Sequence, residues 1–124
     1  MGFCTAVTCM DGRIQEPVLR FLKERFGVEY VDLITEPGPN RILEEGVDSR
    51  TIESIRARLA ISLERHGSVG IAVVGHHDCA GNPVGRDGQA RHTAAAAAYL
   101  RTLAGSVPVI ELWVDEDWRV HDIS

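Results

Sequence analysis

The sequence predicts an α/β fold, in which a mostly parallel four-stranded sheet carries helices on its faces and a C-terminal antiparallel edge strand. Short apolar stretches alternate with segments of helical periodicity in the order β-α-β-α-β-α-β-β, which is typical of a parallel sheet covered by helices. The stretch Val69–Val74 is apolar throughout, as expected of a central strand that is covered on both faces. A chain of 124 residues has the length of one domain, so we expect residues 1–124 to form a single domain.

The first half of the chain contains two predicted strands with a helix between them. Phe3–Thr8 predicts a short buried strand, and Glu29–Thr35 predicts a second strand. Pro17–Phe26 predicts a helix, because a proline occupies its first turn, its apolar residues share one face and a glycine follows it. Glu36–Asn40, "EPGPN", predicts a turn, since two prolines around a glycine cannot continue a regular element. A short helical segment, Arg41–Glu45, is expected to follow.

The second half contains two longer helices and the remaining strands. Ser49–His66 is the clearest helix, with apolar residues at intervals of three and four and a glycine directly after it. Gly81–Gly88 predicts a loop, and Ala90–Leu103 predicts the next helix. Val107–Val114 predicts a fourth strand. After a short turn, Trp118–Ile123 predicts an edge strand that pairs antiparallel with it.

Charge and composition argue against nucleic-acid binding, a membrane helix and a disulfide framework. The net charge is −5 and no cluster of basic residues is present, so we do not expect a nucleic-acid partner. No apolar run approaches the roughly 20 residues of a membrane helix, and no secretory leader is recognisable. Three cysteines are an odd number without a secretion signal, which favours reduced thiols in the cytoplasm.

Two clusters of reactive side chains follow the first and third predicted strands. "CMDGR" covers Cys9–Arg13 and "HHDC" covers His76–Cys79. In parallel sheets, ligands bind beyond the carboxyl ends of the strands. If these two strands are neighbours, both clusters meet at the same edge of the sheet.

Two thiols and an imidazole in these clusters form a donor set that favours Zn²⁺. Cys9, His76 and Cys79 would supply three ligands and leave a fourth tetrahedral position open, as in catalytic zinc sites. An open zinc lowers the pKa of its bound water towards about 7. Taken separately, each cysteine could equally be a small buried apolar residue, and that is the interpretation we give to Cys4.

Asp11 and Arg13 are two residues apart and can form a bidentate pair. Held by Arg13, the carboxylate of Asp11 could accept the proton of a zinc-bound hydroxide and orient it towards a substrate. Released from Arg13, Asp11 could instead occupy the fourth zinc position and close the site. The pair could also be a structural salt bridge at the end of a strand.

The two motifs together resemble those of the β-class carbonic anhydrases. C-x-D-x-R after the first strand is present as "CMDGR", and G-H-x-x-C after the central strand is present as "GHHDC", within a similarity that spans about Thr5–Gly81. The resemblance implies a β-carbonic anhydrase-like fold that binds Zn²⁺ and reversibly hydrates CO₂ to bicarbonate through zinc-bound hydroxide. It implies a homodimer or larger homo-oligomer that acts on a small molecule. By position, the ligands would be Cys9, His76 and Cys79, and the catalytic dyad would be Asp11 and Arg13.

The chain also departs from the family pattern, which leaves other functions open. "EPGPN" stands where many members have an R-x-A-G-N-like turn, and Ala80–Gly81 replaces a frequent double glycine. A hydrolase of carbon disulfide or carbonyl sulfide would use the same metal, and a non-catalytic zinc protein would keep Asp11 on the metal. A metal-free thiol phosphatase would need C-x₅-R, but Gln15 occupies that position. His77 and His92 are candidates for proton transfer.

Overall fold

Five β-strands are defined in the computed structural model, which describes residues 2–124 of the chain. They are β1 (Phe3–Cys9), β2 (Tyr30–Glu36), β3 (Ile71–His76), β4 (Val109–Val114) and β5 (Val120–Asp122). They form one sheet in the order β2-β1-β3-β4-β5. β1 pairs in parallel with both β2 and β3, β3 pairs in parallel with β4, and β5 pairs antiparallel with β4. The predicted α/β fold with an antiparallel edge strand is therefore confirmed.

Four helices within residues 2–124 cover this sheet, namely α1 (Gln15–Phe26), α2 (Pro39–Glu45), α3 (Ser49–Glu64) and α4 (Arg86–Arg101). α3 begins after Asp48, whose carboxylate accepts a hydrogen bond from the backbone N–H of Thr51 at 3.2 Å and so satisfies a free N–H of the first turn. α1 ends at Gly27, which has a φ of 64°. None of the helices in this part of the chain combines the length and the apolar character required to cross a bilayer.

The sheet separates two apolar layers. On one side, α1 contributes Val18 and Leu22 to the buried cluster. On the opposite side, Ile55 of α3 and Leu100 of α4 share a buried cluster with Val73 of β3. Because successive side chains of a strand point to opposite faces, the central strands are apolar on both sides.

The turn predicted at Glu36–Asn40 is shorter in the structure. Glu36 is the last residue of β2, and α2 already begins at Pro39. Proline is tolerated at the first helical position because its missing N–H would have no helical partner there. Gly38 precedes it with a φ of 68°, so the chain reverses within two residues and enters the helix directly.

The loop predicted at Gly81–Gly88 is also shorter, because α4 begins at Arg86 and not at Ala90. Gly88 lies in the first turn of the helix, where a Cβ atom would come within 2.8 Å of the Val84 side chain. The glycine therefore permits close packing of the loop on the helix, whereas the sequence alone placed it at the end of a loop.

The last strand is shorter than the predicted Trp118–Ile123, since β5 covers only Val120–Asp122. Trp118 has a φ of 61°, which is the left-handed region and is incompatible with an extended strand. Trp118 therefore belongs to the turn between β4 and β5.

Two isoleucines on α3 test the assignment of the core. Ile55 is fully buried, whereas Ile61 is 53% exposed on the same helix. We expect Ile55→Ala to lower the free energy of unfolding by about 2–5 kcal/mol, because it leaves a cavity. Ile61→Ala is expected to change it by less than about 1 kcal/mol. Urea denaturation followed by circular dichroism measures both, and equal losses would contradict the packing of α3 described here.

Candidate metal centre

Cys9, His76 and Cys79 lie together at the carboxyl edge of the sheet. Cys9 is the last residue of β1 and His76 is the last residue of β3. β3 extends two residues beyond the predicted end at Val74, because His76 still pairs with Val114. All three side chains are buried, and one ligand atom from each lies within 4.8 Å of the others. The structure therefore brings together the three residues predicted as ligands, in a group that could hold a metal ion.

The spacing of the two sulfur atoms fits a shared metal ion. Sγ of Cys9 and Sγ of Cys79 are 3.9 Å apart, and both thiols are free. A disulfide would require about 2.05 Å. When two thiolates bind the same tetrahedral zinc ion, each at about 2.3 Å, their sulfur atoms are about 3.8 Å apart. The sulfur atoms thus have the separation of two ligands and not that of a disulfide.

The ring of His76 is oriented for ligation through Nε2. Its Nδ1 lies 2.7 Å from the backbone carbonyl oxygen of His77, a contact in which a protonated Nδ1 donates. Nε2 is buried and has no hydrogen-bond partner within residues 2–124. A buried polar atom without a partner is costly. Metal-binding histidines commonly use one ring nitrogen for the metal and the other for such a carbonyl contact.

The surroundings of the sulfur atoms stabilise a thiolate. The pKa of Cys9 is lowered by a hydrogen bond from the Cys79 thiol, by the nearby His76 ring and by the backbone N–H groups of Asp11 and Gly38. The pKa of Cys79 is raised because its proton is held by the Cys9 sulfur and because it is buried. Burial opposes a charged His76, but the Cys9 sulfur and a backbone carbonyl raise its pKa overall. The three groups thus share protons that a bound cation would displace.

Asp11 and Arg13 form a bidentate ion pair. Nε and Nη2 of Arg13 donate to Oδ1 and Oδ2 of Asp11 at 3.0 and 2.7 Å, and the backbone N–H of Arg13 donates to Oδ1 at 2.9 Å. The hydrogen bonds from Arg13 lower the pKa of Asp11 to about 2. Asp11 is therefore ionised at neutral pH and is engaged by Arg13, outside the group of three ligands.

Gln15 supports the segment that carries Cys9 and Asp11. Its Nε2 donates to the backbone carbonyl oxygens of Cys9 at 2.9 Å and of Asp11 at 2.7 Å. One amide group therefore fixes both ends of a three-residue segment. Sequence reasoning missed this residue because a glutamine at the start of a helix forms no recognisable pattern with these carbonyl groups.

Two glycines lie beside the sulfur atoms. A Cβ atom on Gly81 would lie 2.3 Å from the carbonyl carbon of Pro37, and one on Gly38 would lie 2.9 Å from the carbonyl carbon of Gly81. The backbone N–H of Gly38 faces Cys9, and that of Gly81 faces Cys79. Both thiol-facing amides therefore depend on a close approach of backbone that only glycine allows.

Buried amides lie behind His76. Asn40 and Gln89 are each 1% exposed. Nδ2 of Asn40 donates to Oε1 of Gln89 at 2.8 Å, and the same oxygen accepts the backbone N–H of His76 at 3.3 Å. Nε2 of Gln89 donates to the carbonyl oxygen of Asn82 at 2.8 Å. This network joins α2, α4 and the loop after Cys79 to the end of β3.

The remaining candidate residues lie outside the group of three ligands. His77 is exposed, and its ring lies 6.4 Å from that of Trp118. Nδ1 of His92 lies 2.9 Å from Nδ2 of Asn82. A proton-transfer role for either histidine stays a prediction. Cys4 is fully buried, and burial raises its pKa to about 11, in agreement with its interpretation as a small apolar residue.

The fold is shared with solved β-carbonic anhydrases. A β-carbonic anhydrase isoform I from Trichomonas vaginalis matches with a TM-score of 0.67 and 18% identity, over 97% of this chain and 81% of that one. A carbonic anhydrase from Streptococcus mutans matches with a TM-score of 0.68 and 19% identity, over 98% and 81%. A tetrameric β-carbonic anhydrase from Sordaria macrospora matches with a TM-score of 0.62 and 13% identity, over 98% and 80%. At these identities the matches establish the β-carbonic anhydrase fold.

The family follows from the sequence itself. The family model described as "Putative carbonic anhydrase" matches residues 1–124, so the chain belongs to this family. The resemblance drawn from "CMDGR" and "GHHDC" is therefore confirmed. No curated protein sequence matches the chain.

Gly81 offers a test of how the pocket supports a metal. A Cβ on Gly81 would force Pro37 away and with it the backbone amide of Gly38 that faces Cys9. We expect Gly81→Ala to weaken Zn²⁺ binding about 10- to 100-fold, the usual effect of losing groups that support metal ligands. Gly85→Ala is the matched control, because a Cβ at Gly85 would meet nothing within 4 Å.

Competition with a chromophoric chelator measures the two affinities. Equal affinities for the two alanine variants would contradict the role assigned to the contact between Pro37 and Gly81.

Proposed function

We propose that the chain is a zinc-dependent, carbonic anhydrase-like lyase that reversibly hydrates CO₂ to bicarbonate, and that residues 1–124 act as one zinc domain. The observation that carries the proposal is the buried group of Cys9, His76 and Cys79, whose ligand atoms lie within 4.8 Å of one another. An ionised carboxylate, Asp11, is held by Arg13 close to this group. Membership of the carbonic anhydrase-like family supports the same activity.

The proposed cofactor is Zn²⁺, which Cys9, His76 and Cys79 would hold. Two sulfur atoms and one imidazole suit zinc and not the hard cations Mg²⁺ and Ca²⁺, which prefer oxygen ligands. Three protein ligands leave a fourth position for solvent, as in catalytic zinc sites. When bound, Zn²⁺ supplies the Lewis acidity that lowers the pKa of a coordinated water from about 16 towards about 7.

Asp11 is the proposed hydrogen-bond acceptor for the attacking water. Its carboxylate receives two charge-assisted hydrogen bonds from Arg13, and ionised oxygens keep further lone pairs for another donor. An acceptor that is fixed in this way holds the water so that its nucleophilic lone pair points at the carbon of CO₂. Arg13 keeps the carboxylate ionised and oriented. Asp11 and Arg13 together would form the catalytic dyad.

A homodimer or larger homo-oligomer is proposed as the assembly. One of the matched structures is described as tetrameric, and Met10, between Cys9 and Asp11, leaves 63% of its surface exposed. A cytoplasmic location, with CO₂ or bicarbonate as the small-molecule partner, stays a prediction.

Three cysteine variants test the proposed ligands. We expect the purified wild-type protein to contain about one zinc per chain. Cys9→Ala and Cys79→Ala are expected to lose the metal, because removing one ligand opens the site and leaves the other sulfur unpaired. Cys4→Ala is the control and should keep the metal, since Cys4 lies outside the group of three ligands and its raised pKa keeps it protonated. Atomic absorption on dialysed protein measures the content, and zinc in both Cys9→Ala and Cys79→Ala would contradict the site.

Asp11→Asn tests the proposed dyad. The amide cannot accept the same hydrogen bond as strongly and no longer pairs with Arg13 as an ion. We expect CO₂ hydration by the zinc-loaded variant to fall about 100-fold or more, the usual contribution of such a group. Asp117→Asn is the control, because Asp117 is an exposed carboxylate in the turn after β4 and should retain the activity. Stopped-flow CO₂ hydration at pH 7 and above pH 8 measures both variants.

The same assays decide between the functions that the sequence left open. A zinc-loaded wild-type protein that is inactive on CO₂ at both pH values would reject the proposed activity. Release of sulfide from carbon disulfide or carbonyl sulfide would then identify a hydrolase on the same scaffold. A zinc-loaded protein without any turnover would be a non-catalytic zinc protein.

A further inference from the structure

The guanidinium group of Arg13 has contacts beyond Asp11. Nη1 donates to Oδ2 of Asp78 at 3.2 Å, and Nη2 donates to the backbone carbonyl oxygen of Asp78 at 3.1 Å. Cζ lies 4.7 Å from the centroid of the Trp118 ring, which is within the range of a cation–π contact. Arg13 is therefore held on two edges by carboxylate and carbonyl oxygens and on one face by an aromatic ring.

Two residues with unusual backbone conformations contact the same arginine. Within residues 2–124, the non-glycine residues with positive φ are Asp78 at 56° and Trp118 at 61°, and both contact Arg13. Aspartate enters this region at modest cost, but for a bulky residue such as tryptophan it is a genuine outlier. Such conformations persist where the surrounding structure enforces them, and they cluster at functional sites.

The turn that carries Trp118 is held in place by Asp115. Oδ1 of Asp115 accepts the backbone N–H groups of Asp117 and Arg119, each at 2.9 Å. Oδ2 lies 2.6 Å from Nε2 of His121, and the backbone N–H of Trp118 donates to the Asp115 carbonyl oxygen at 3.0 Å. The left-handed conformation of Trp118 is thus enforced by the turn, which presents the ring to Arg13.

We propose that Trp118 is a positioning residue that, together with Asp78, holds Arg13 so that Asp11 stays paired with Arg13 and away from the metal. This inference rests on the proposed function, because it concerns the carboxylate of the proposed dyad. Arg13 is 46% exposed, and an exposed ion pair is normally weak, since two flexible side chains must be ordered to form it. A guanidinium that is already ordered by Trp118 and Asp78 loses less freedom when it binds Asp11.

The consequence concerns the two partners available to Asp11. Its carboxylate can pair with Arg13 or complete the coordination of a metal held by the nearby ligands. A more mobile Arg13 would pair less strongly with Asp11 and would therefore favour binding of Asp11 to the metal. With a metal bound, Trp118 would therefore favour an open fourth position, although Trp118 is not one of the three ligand residues.

Nuclear magnetic resonance of the zinc-free protein tests the contact directly. In the wild-type protein, the Nε–H resonance of Arg13, assigned with Arg13→Lys, is expected to show nuclear Overhauser effects to the ring protons of Trp118, because Cζ of Arg13 lies 4.7 Å from the ring centroid. Trp118→Phe should retain such effects from its smaller ring. The absence of any effect between the two side chains in the wild-type protein would overturn the proposal, whether or not any variant folds.

A double-mutant cycle separates positioning from a purely structural role. With Asp11 present, we expect Trp118→Leu to strengthen Zn²⁺ binding about two- to fivefold, the equivalent of an exposed cation–π contact, because Asp11 becomes available to the metal. In the Asp11→Asn background, Trp118→Leu should leave the affinity unchanged. Trp118→Phe should restore most of the wild-type value. A chelator competition at one fixed pH measures all of these variants.

The outcomes distinguish this proposal from the proposed function. Equal changes in zinc affinity with and without Asp11, or no change with Asp11 present, would overturn the positioning role. Neither the resonance of Arg13 nor zinc affinity depends on turnover. A protein that is inactive on CO₂ but shows the expected cycle would therefore reject the activity while supporting the role of Trp118.

Discussion

The parallel pairing of β1 with β3 is the constraint on which the candidate site depends. It brings Cys9 at the end of one strand next to His76 at the end of the other, although nearly seventy positions separate them in the sequence. The pairing is fixed by residues that face both apolar layers, with Val7 opposite Val73. A slip by one residue would turn every apolar side chain to the other face. The packing that stabilises the sheet therefore also sets the distance between the sulfur atoms and the imidazole.

Backbone N–H groups stabilise the sulfur atoms that the strands bring together. A thiolate in a buried pocket needs hydrogen-bond donors, because isolated buried charge is costly. Here the amides of Gly38 and Gly81 face the two sulfur atoms, and both depend on the absence of a side chain at those positions. The turn "EPGPN" thus contributes a backbone donor to Cys9 through its glycine.

The sequence predicted the strands and the reactive residues better than it predicted the loop boundaries and the hydrogen bonds that hold these residues in place. The fold class followed from apolar patterning along the chain, which is a local signal. The meeting of Cys9 with His76 was expected only if their strands are neighbours, and the structure pairs these two strands. The boundaries at Pro39 and Arg86 did not follow from such patterning, because each depends on how a loop packs against its neighbours. Gln15 was missed for a similar reason, since its hydrogen bonds to backbone carbonyl groups depend on the conformation of the turn and leave no residue pattern.

The contact between Trp118 and Arg13 shows most clearly why contacts that depend on turn conformation cannot be predicted from the sequence. The pattern of apolar residues placed Trp118 in the edge strand, whereas the structure places it in the turn before that strand, partly buried against the core. The side chain of Asp115 instead folds the chain into a tight turn, and the ring meets an arginine from the opposite end of the chain. Asp78 and Trp118 both have positive φ and both contact Arg13. The turn around Asp115 enforces the outlier at Trp118, and outliers that are enforced in this way cluster at functional sites, which is why we infer that the position of one guanidinium decides which partner Asp11 takes.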